Sequence, residues 1–411
     1  MEVMLNRCCG LDVHKDQVTA CVMIAEPGKK TRKQTRTFAT FTATLVSMCR
    51  WLADNQVTHV GMESTGVYWM PVFSVLEEFG GFKTVVGNAQ HIKNVPGRKT
   101  DVKDAEWIAT LVGHGLVRNS YVPPKDLRAI RDLVRYRRTL VECEADERNR
   151  LQKLLESANI KLATVASDVF GKSGRKMLKA LAEGEADPKK LAQMAEGLLR
   201  KKIPQLELAF DGKVREHHRF VLREQLQRID DAEAAIARVE AQIDARMAPY
   251  EKQVELLCQI PGVKRTIAIA IIAEIGVDMS VFPTAGDLAS WAGASPGNNE
   301  TGGKKRRAAH RKGNTYLLSI LVEAAMAGKN TKGTYYRDKY YRLRSRRGDG
   351  RAKVAIAHKI IVAAYHMLKT GASYKELGET YLDRIDQGRV AKNLVRRLER
   401  LGYQVSISKA A

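Results

Sequence analysis

Two carboxylates sit three positions apart in Lys99-Thr100-Asp101-Val102-Lys103-Asp104-Ala105, just after the turn Pro96-Gly97-Arg98-Lys99. A helix beginning at Asp101 puts Asp101 and Asp104 on one face, about one turn apart. Trp107, Ile108, Leu111 and Val112 recur at helical spacing and would bury the other face. Acids beside Arg98, Lys99 and Lys103 suit a divalent cation and a phosphate. They equally suit the N-terminal end of a helix dipole, so the pair alone decides nothing. Two further acids weigh on the choice. Asp12 lies inside the apolar run Cys8 to Val13, where an acid is costly without a partner. Glu63 closes a second apolar run in Gly61-Met62-Glu63-Ser64-Thr65-Gly66. Four carboxylates in one cluster repel unless cations neutralise them, and oxygen-only ligands favour Mg²⁺ or Mn²⁺. A pair of such ions clamps the attacking and leaving oxygens of a phosphodiester. The alternative is four unrelated surface acids.

A second stretch with chemistry runs Ala294-Ser295-Pro296-Gly297-Asn298-Asn299-Glu300-Thr301-Gly302-Gly303-Lys304-Lys305-Arg306-Arg307 and on through His310, Arg311 and Lys312 to Asn314. Gly and Asn make a turn-rich loop. Its basic run contains no acid and suits a phosphate backbone, although a basic loop is often only solvated surface. A hydroxyl ahead of a cationic cluster suits a nucleophile whose target phosphate those cations hold. Upstream, Ile260-Pro261-Gly262-Val263-Lys264 joins two helical patterns and resembles a helix-hairpin-helix. Such a turn presents backbone N–H groups to a phosphate, with Lys264 beside them, and positions DNA without reading it. A plain hairpin of two helices is the simpler reading.

The elements that must position these residues follow from periodicity. Cys8–Val13, Val18–Ile24 and Arg36–Thr40 read as an antiparallel meander. A helix over Leu45–Ala53, a strand Val57–Met62, a helix Tyr68–Phe79 and a strand Phe82–Val86 then lead to the Asp101 helix. This gives a mixed sheet flanked by helices, with Asp12 and Glu63 at strand ends, where ligands of open α/β sheets gather. Pro123-Pro124 marks a boundary. Beyond it, one apolar stripe runs Leu127 to Leu155 and another Leu222 to Met247, with Glu233 and Glu240 interrupting a strict heptad. They read as two long helices that pair with each other or with a second protomer. Between them lies a helical linker, broken near Gly171 to Gly174 and at Asp187-Pro188. The fold class is therefore α/β plus α-helical. The expected domains are 1–122 (catalytic), 123–250 (helical, coiled-coil) and 251–411 (mostly helical). Tyr335, Tyr336, Tyr340 and Tyr341 stand among Arg residues and would either stack on nucleic acid or pack a helix.

Composition narrows the partners. The formal net charge is +23 over 411 residues, with aromatic content of only 6%. That excess points to a polyanion, most often nucleic acid. No apolar run is long enough to span a bilayer, and the N-terminus lacks a signal-peptide pattern. The expected setting is a bacterial cytosol, at the nucleoid. Cys8, Cys9, Cys21, Cys49, Cys143 and Cys258 form no C-x-x-C pair and read as small hydrophobes.

Three motifs in order, Gly10-Leu11-Asp12-Val13-His14-Lys15, Glu63-Ser64-Thr65-Gly66-Val67-Tyr68-Trp69 and Lys99 to Ala105, resemble the IS110/IS1111 insertion-sequence transposases. The resemblance implies a RuvC-like, RNase H-type N-terminal domain. It implies a metal site of Asp12, Glu63, Asp101 and Asp104, a dimerising coiled-coil insert and a C-terminal transposase domain. The loop around Thr301 resembles that domain's nucleophile motif, where a serine usually precedes the Gly. Thr301 departs from this. Three readings stay open: Thr301 is the nucleophile, Ser295 substitutes for it, or strand transfer is impaired. The resemblance further implies Mg²⁺, donor and target double-stranded DNA, an element-encoded guide RNA, and a homo-oligomer, either dimer or tetramer. The basic residues Arg98, Lys99, Lys264, Lys304, Lys305, Arg306, Arg307, Arg311 and Lys312 are the expected nucleic-acid contacts. The competing function is a metal-dependent nuclease or junction resolvase in which water attacks.

Overall fold

The computed structural model describes residues 4–26, 28–64, 66–89, 92, 104–296, 300–301, 304–305 and 313–408, with backbone alone at 300–301 and 304–305. Two compact units emerge, Met1–Val122 and Pro123–Ala411.

The first unit is a five-stranded sheet in the order β3-β2-β1-β4-β5. β1 (Arg7–Val13), β2 (Gln17–Ile24) and β3 (Arg32–Ala39) form the antiparallel meander. β4 (His59–Glu63) and β5 (Lys83–Gly87) add parallel to β1. β3 starts before the expected Arg36, because an edge strand tolerates the exposed run Arg32 to Gln34 that hydropathy alone reads as turn. Alternation decides the layers. Cys9, Leu11, Val18, Val60 and Met62 pack on α1 (Thr42–Asp54) and α2 (Trp69–Phe79). Cys8, Cys21 and Met23 face the other way, onto α3 (Asp104–Gly113), through Ala105, Ile108, Ala109 and Val112.

Among its described residues, the second unit's regular structure is helical apart from one short ladder. α4 (Lys125–Ser157) and α9 (Glu216–Met247) are the two long helices, and they pair with each other along the chain's own hairpin. The acids that break the heptad are where they cross-link. Glu240 meets Arg137 at 2.6 Å, and Glu233 meets Arg148 at 2.8 Å and also binds Arg175. Part-exposed ion pairs add about 0–1 kcal/mol each, so their main effect is on register. The connecting stretch is more than a linker. α5 (Leu162–Val165), α6 (Lys172–Glu183), α7 (Pro188–Gln193) and α8 (Ile203–Phe210) build a core of Met177, Leu178, Leu181, Leu206 and Phe210. That core is shared with Leu151, Leu155, Leu222 and Leu226 from the long helices.

Beyond it, α10 (Glu251–Cys258), α12 (Ala285–Trp291), α13 (Thr315–Gly328) and α14 (Tyr335–Arg347) surround α15 (Asp349–Thr370). α11 (Arg265–Ile275) lies between α4 and α13. α16 (Tyr381–Ile385) and α17 (Gln387–Arg400) bury no residue. No helix among the described residues is long and apolar enough to cross a membrane.

The first unit's thiols give a pH signature. Burial pushes Cys8 up from 9.0 to about 12, Cys49 up to about 11 and Cys9 well up, whereas Cys143 and Cys258 are exposed. Above pH 9.0 the folded thiols hold protons that unfolded thiols release, so stability is full below that pH and declines as pH rises toward 12. Urea midpoints across this window should fall, and Cys8→Ala should flatten the slope. Iodoacetamide near pH 8 should label Cys143 and Cys258 and spare Cys8, Cys9, Cys21 and Cys49.

Candidate active site

Strand register assembles the acidic end of the first unit. Leu11 pairs with Met62 across the parallel β1–β4 ladder, and both point into the α1–α2 core. Asp12 and Glu63 come next along their strands, so they emerge together on the opposite face, beside α3. Glycine lets that helix approach. A Cβ at Gly10 would lie 2.3 Å from the Ala105 carbonyl oxygen and 2.2 Å from the Ala109 nitrogen, and one at Gly61 would lie 2.2 Å from Val112 Cγ2. The Cys8 thiol, one step back, donates to the Ala109 carbonyl at 3.4 Å. The helix therefore runs opposite to β1, and its first residue, Asp104, lies toward Asp12.

The structure thus brings Asp12, Glu63 and the start of α3 to one end of the sheet. Asp101, Arg98 and Lys99 lie outside the described residues. Asp12 is not sealed in the strand: its side chain is 27% exposed, and its Oδ2 stands 3.1 Å from His14 Nε2. The desolvation cost expected from sequence is met in part by water and that imidazole. His14 is the contact that sequence reading left unassigned, although its place two residues after Asp12 carried the signal. Carboxylate oxygens are among the donors a hard divalent cation takes. Among the described residues, however, no three His, Cys, Asp or Glu side chains are grouped closely enough to hold a metal ion.

In the second unit, β6 (Glu300–Thr301) and β7 (Lys304–Lys305) form a small antiparallel ladder with Thr301 directly across from Lys304. Arg306, Arg307, Arg311 and Lys312 lie outside the described residues. The loop that carries this ladder has a closed neck. Ala294 N–H donates to Ala289 at 2.9 Å, and Asn314 N–H donates to Trp291 at 3.0 Å. A Cβ at Gly313 would lie 2.3 Å from the Gly293 nitrogen, so the strands of the neck touch backbone to backbone. Ser295 sits half-buried at this neck, well back along the chain from the ladder.

α10, a turn and α11 pack as a hairpin of two helices. Lys264 is exposed at the start of α11. Its neighbour Arg265 is held by Glu251 and Asp244, whose hydrogen bonds push its guanidinium up. The tyrosines divide. Tyr335, Tyr336 and Tyr340 are buried, and burial with Tyr374 nearby pushes the Tyr336 phenol up. Tyr341 alone of the four faces out, with the Arg337 guanidinium 5.9 Å from its ring centre. Helix packing, rather than base stacking, accounts for the other three.

Gly10→Ala tests the seat of α3. The new methyl meets helix backbone, which cannot move like a side-chain tip, and should destabilise the chain by roughly 2 kcal/mol or more in urea unfolding.

Known families bear on this arrangement. A transposase model named for the DEDD domain of IS110 elements matches residues 9–160. A second, described as the transposase IS116/IS110/IS902 family, matches residues 254–342. No curated protein matches the chain. The first match takes in the acidic strand ends and the second takes in the closed loop. Together they span more than half of the sequence in order, and the chain belongs to the IS110/IS116/IS902 family of transposases, enzymes that cut and rejoin DNA.

Proposed function

We propose that this transposase transfers DNA strands through a covalent threonine intermediate, with Thr301 as the nucleophile. The observation that carries the reading is the convergence of Asp12, Glu63 and the N-terminus of α3 at one sheet end. A hydroxyl-bearing ladder in a loop free of acids from Gly302 to Lys312 supports it. A DEDD-type domain suggests dependence on a divalent metal. Asp12, Glu63, Asp101 and Asp104 would hold it, and Mg²⁺ there would stabilise charge on the phosphate and its leaving oxygen.

The reaction balances without ATP. The Thr301 hydroxyl gives up its proton and attacks phosphorus. The bond from phosphorus to the 3′ oxygen breaks, that oxygen takes a proton, and a 5′-phosphothreonyl link forms. A free 3′ hydroxyl of another strand then attacks the same phosphorus, and the threonine oxygen leaves and regains its proton. One phosphodiester is lost and one is made. Lys304, Lys305, Arg306, Arg307, Arg311 and Lys312 would hold the phosphate backbone near the attack, and Lys264 would hold it at the hairpin. Arg98 and Lys99 would do so beside the acids. A structured RNA from the element, pairing with donor and target DNA, fits the net charge of +23, and the enzyme would act as a dimer or tetramer.

The test uses DNA carrying both recombination sites, the flanking transcript and Mg²⁺, resolved on a denaturing gel. Wild type should give a protease-sensitive protein–DNA band that Thr301→Ala removes. Asp12→Asn should cut the rate by at least about a hundredfold, the scale for losing transition-state charge stabilisation. A band that survives Thr301→Ala transfers the role to Ser295. Metal-dependent cutting with no band makes water the nucleophile.

A further inference from the structure

Glu274, in α11, is the most deeply buried carboxylate among the described residues, at 1% exposure. A buried charge costs several kcal/mol unless it is paired and its lone pairs are filled. Here they are filled from different elements. Arg135 of α4 grips it with a fork, Nε to Oε1 at 2.8 Å and Nη2 to Oε2 at 3.0 Å. Arg131, one helical turn back, stands 3.8 Å away. The third group is Asn314, whose Nδ2 donates to Oε2 at 2.6 Å.

Asn314 is the residue at which the Thr301 loop returns to the fold. It uses its polar groups in separate directions. Its backbone N–H closes the neck onto Trp291, its Oδ1 caps α13 through Leu317 N–H at 3.1 Å, and its Nδ2 binds Glu274. Arg135 also lies 4.4 Å from the ring centre of Tyr316, in the first turn of α13. Arg138, further along α4, bonds Ser319 at 2.7 Å and Glu323 at 2.9 Å on the same helix. Core packing alone would be served by apolar residues. A fully satisfied buried cluster instead imposes one geometry, because moving any member strands a charge.

We infer that Glu274 and Asn314 are positioning residues that fix the neck of the Thr301 loop against the long helix α4. They act on the nucleophile through the loop and do not touch DNA. The inference rests on the reading that this loop carries the attacking hydroxyl. A misplacement of about 1 Å can cost about a hundredfold in rate. Loosening the neck should therefore slow attack, which needs close placement, far more than it weakens DNA binding, because the loop keeps all its basic residues and their attraction for phosphate acts at longer range.

Asn314→Ser separates the roles, because serine keeps the helix cap but cannot reach Glu274. Glu274→Gln keeps the shape and removes the charge that holds Arg135. Hydrogen exchange in peptides covering 289–296 and 313–317 is followed in the free protein. Single-turnover formation of the protein–DNA band is followed at saturating DNA with Mg²⁺. Both variants should exchange faster at the neck alone, bind DNA within about twofold of wild type, and form the band about tenfold to a hundredfold more slowly. Unchanged neck exchange overturns the inference. So does a rate loss that only tracks weaker DNA binding and faster exchange everywhere. If wild type forms no band, the Thr301 reading fails by itself, and neck exchange still decides whether Glu274 anchors the loop.

Discussion

The geometry of the acidic end depends on one close contact, the seat of α3 on Gly10 and Gly61. Helix and sheet usually meet through side chains, whose length keeps the backbones apart and whose rotamers leave slack. Here the main chain of Ala105 and Ala109 rests on β1 where a Cβ would be. That fixes the helix N-terminus relative to the strand ends at the precision of backbone, not of side chains. Asp12 and Glu63 inherit theirs from neighbouring positions in one hydrogen-bonded ladder. The two carboxylates at the strand ends are thus carried by the stiffest parts of the unit. The carboxylates themselves keep some freedom, as the half-buried Asp12 beside exposed His14 illustrates.

What could be read in the sequence follows from how local each signal is. The short apolar and β-branched runs Cys8–Val13 and Val18–Ile24 made those strands plain, and the long apolar stripes made α4 and α9 plain. The edge strand began earlier than read, because Arg32 and Lys33 on an exposed face look like a turn. The stretch between the long helices looked like a linker, because breaks at Gly171 to Gly174 and Asp187-Pro188 divide it into short helices whose apolar sides meet only in the shared core. The acidic strand ends were legible from their positions after apolar runs. Glu274 was not: its partners Arg135 and Asn314 lie 139 and 40 residues away, and it sits in an apolar helix as one acid among isoleucines. Periodicity gives burial of such a helix but not what its single charge meets.

The excess of basic residues, 69 against 46 acids, is unevenly spread in its effect. Along α4 and α9 arginines are matched by glutamates and aspartates, and Arg265 is matched by Asp244 and Glu251. Those cations hold the fold's register and contribute little field outside. From Gly302 to Lys312 there is no acid to match. That run is one where charge unmatched in the sequence would attract a polyanion, since unmatched charge sets the potential outside a protein.

The threonine at position 301 bears on the same point. A β-branched residue is stiff at χ1 and is favoured in strands, and Thr301 stands in a strand pair across from Lys304. In the proposed attack its methyl would crowd the approaching phosphate and slow the step. It also removes rotamers that a serine hydroxyl would sample, so less freedom is lost on reaching the attacking pose. A stiff nucleophile is an advantage only if the backbone beneath it is held, because it cannot correct a misplaced loop by rotating. A neck closed by backbone contact at Gly313 and tied through Asn314 to a buried carboxylate supplies that hold. On the proposed reading the threonine and the anchor are consistent with each other: a loop fixed this firmly would suit the less adaptable hydroxyl.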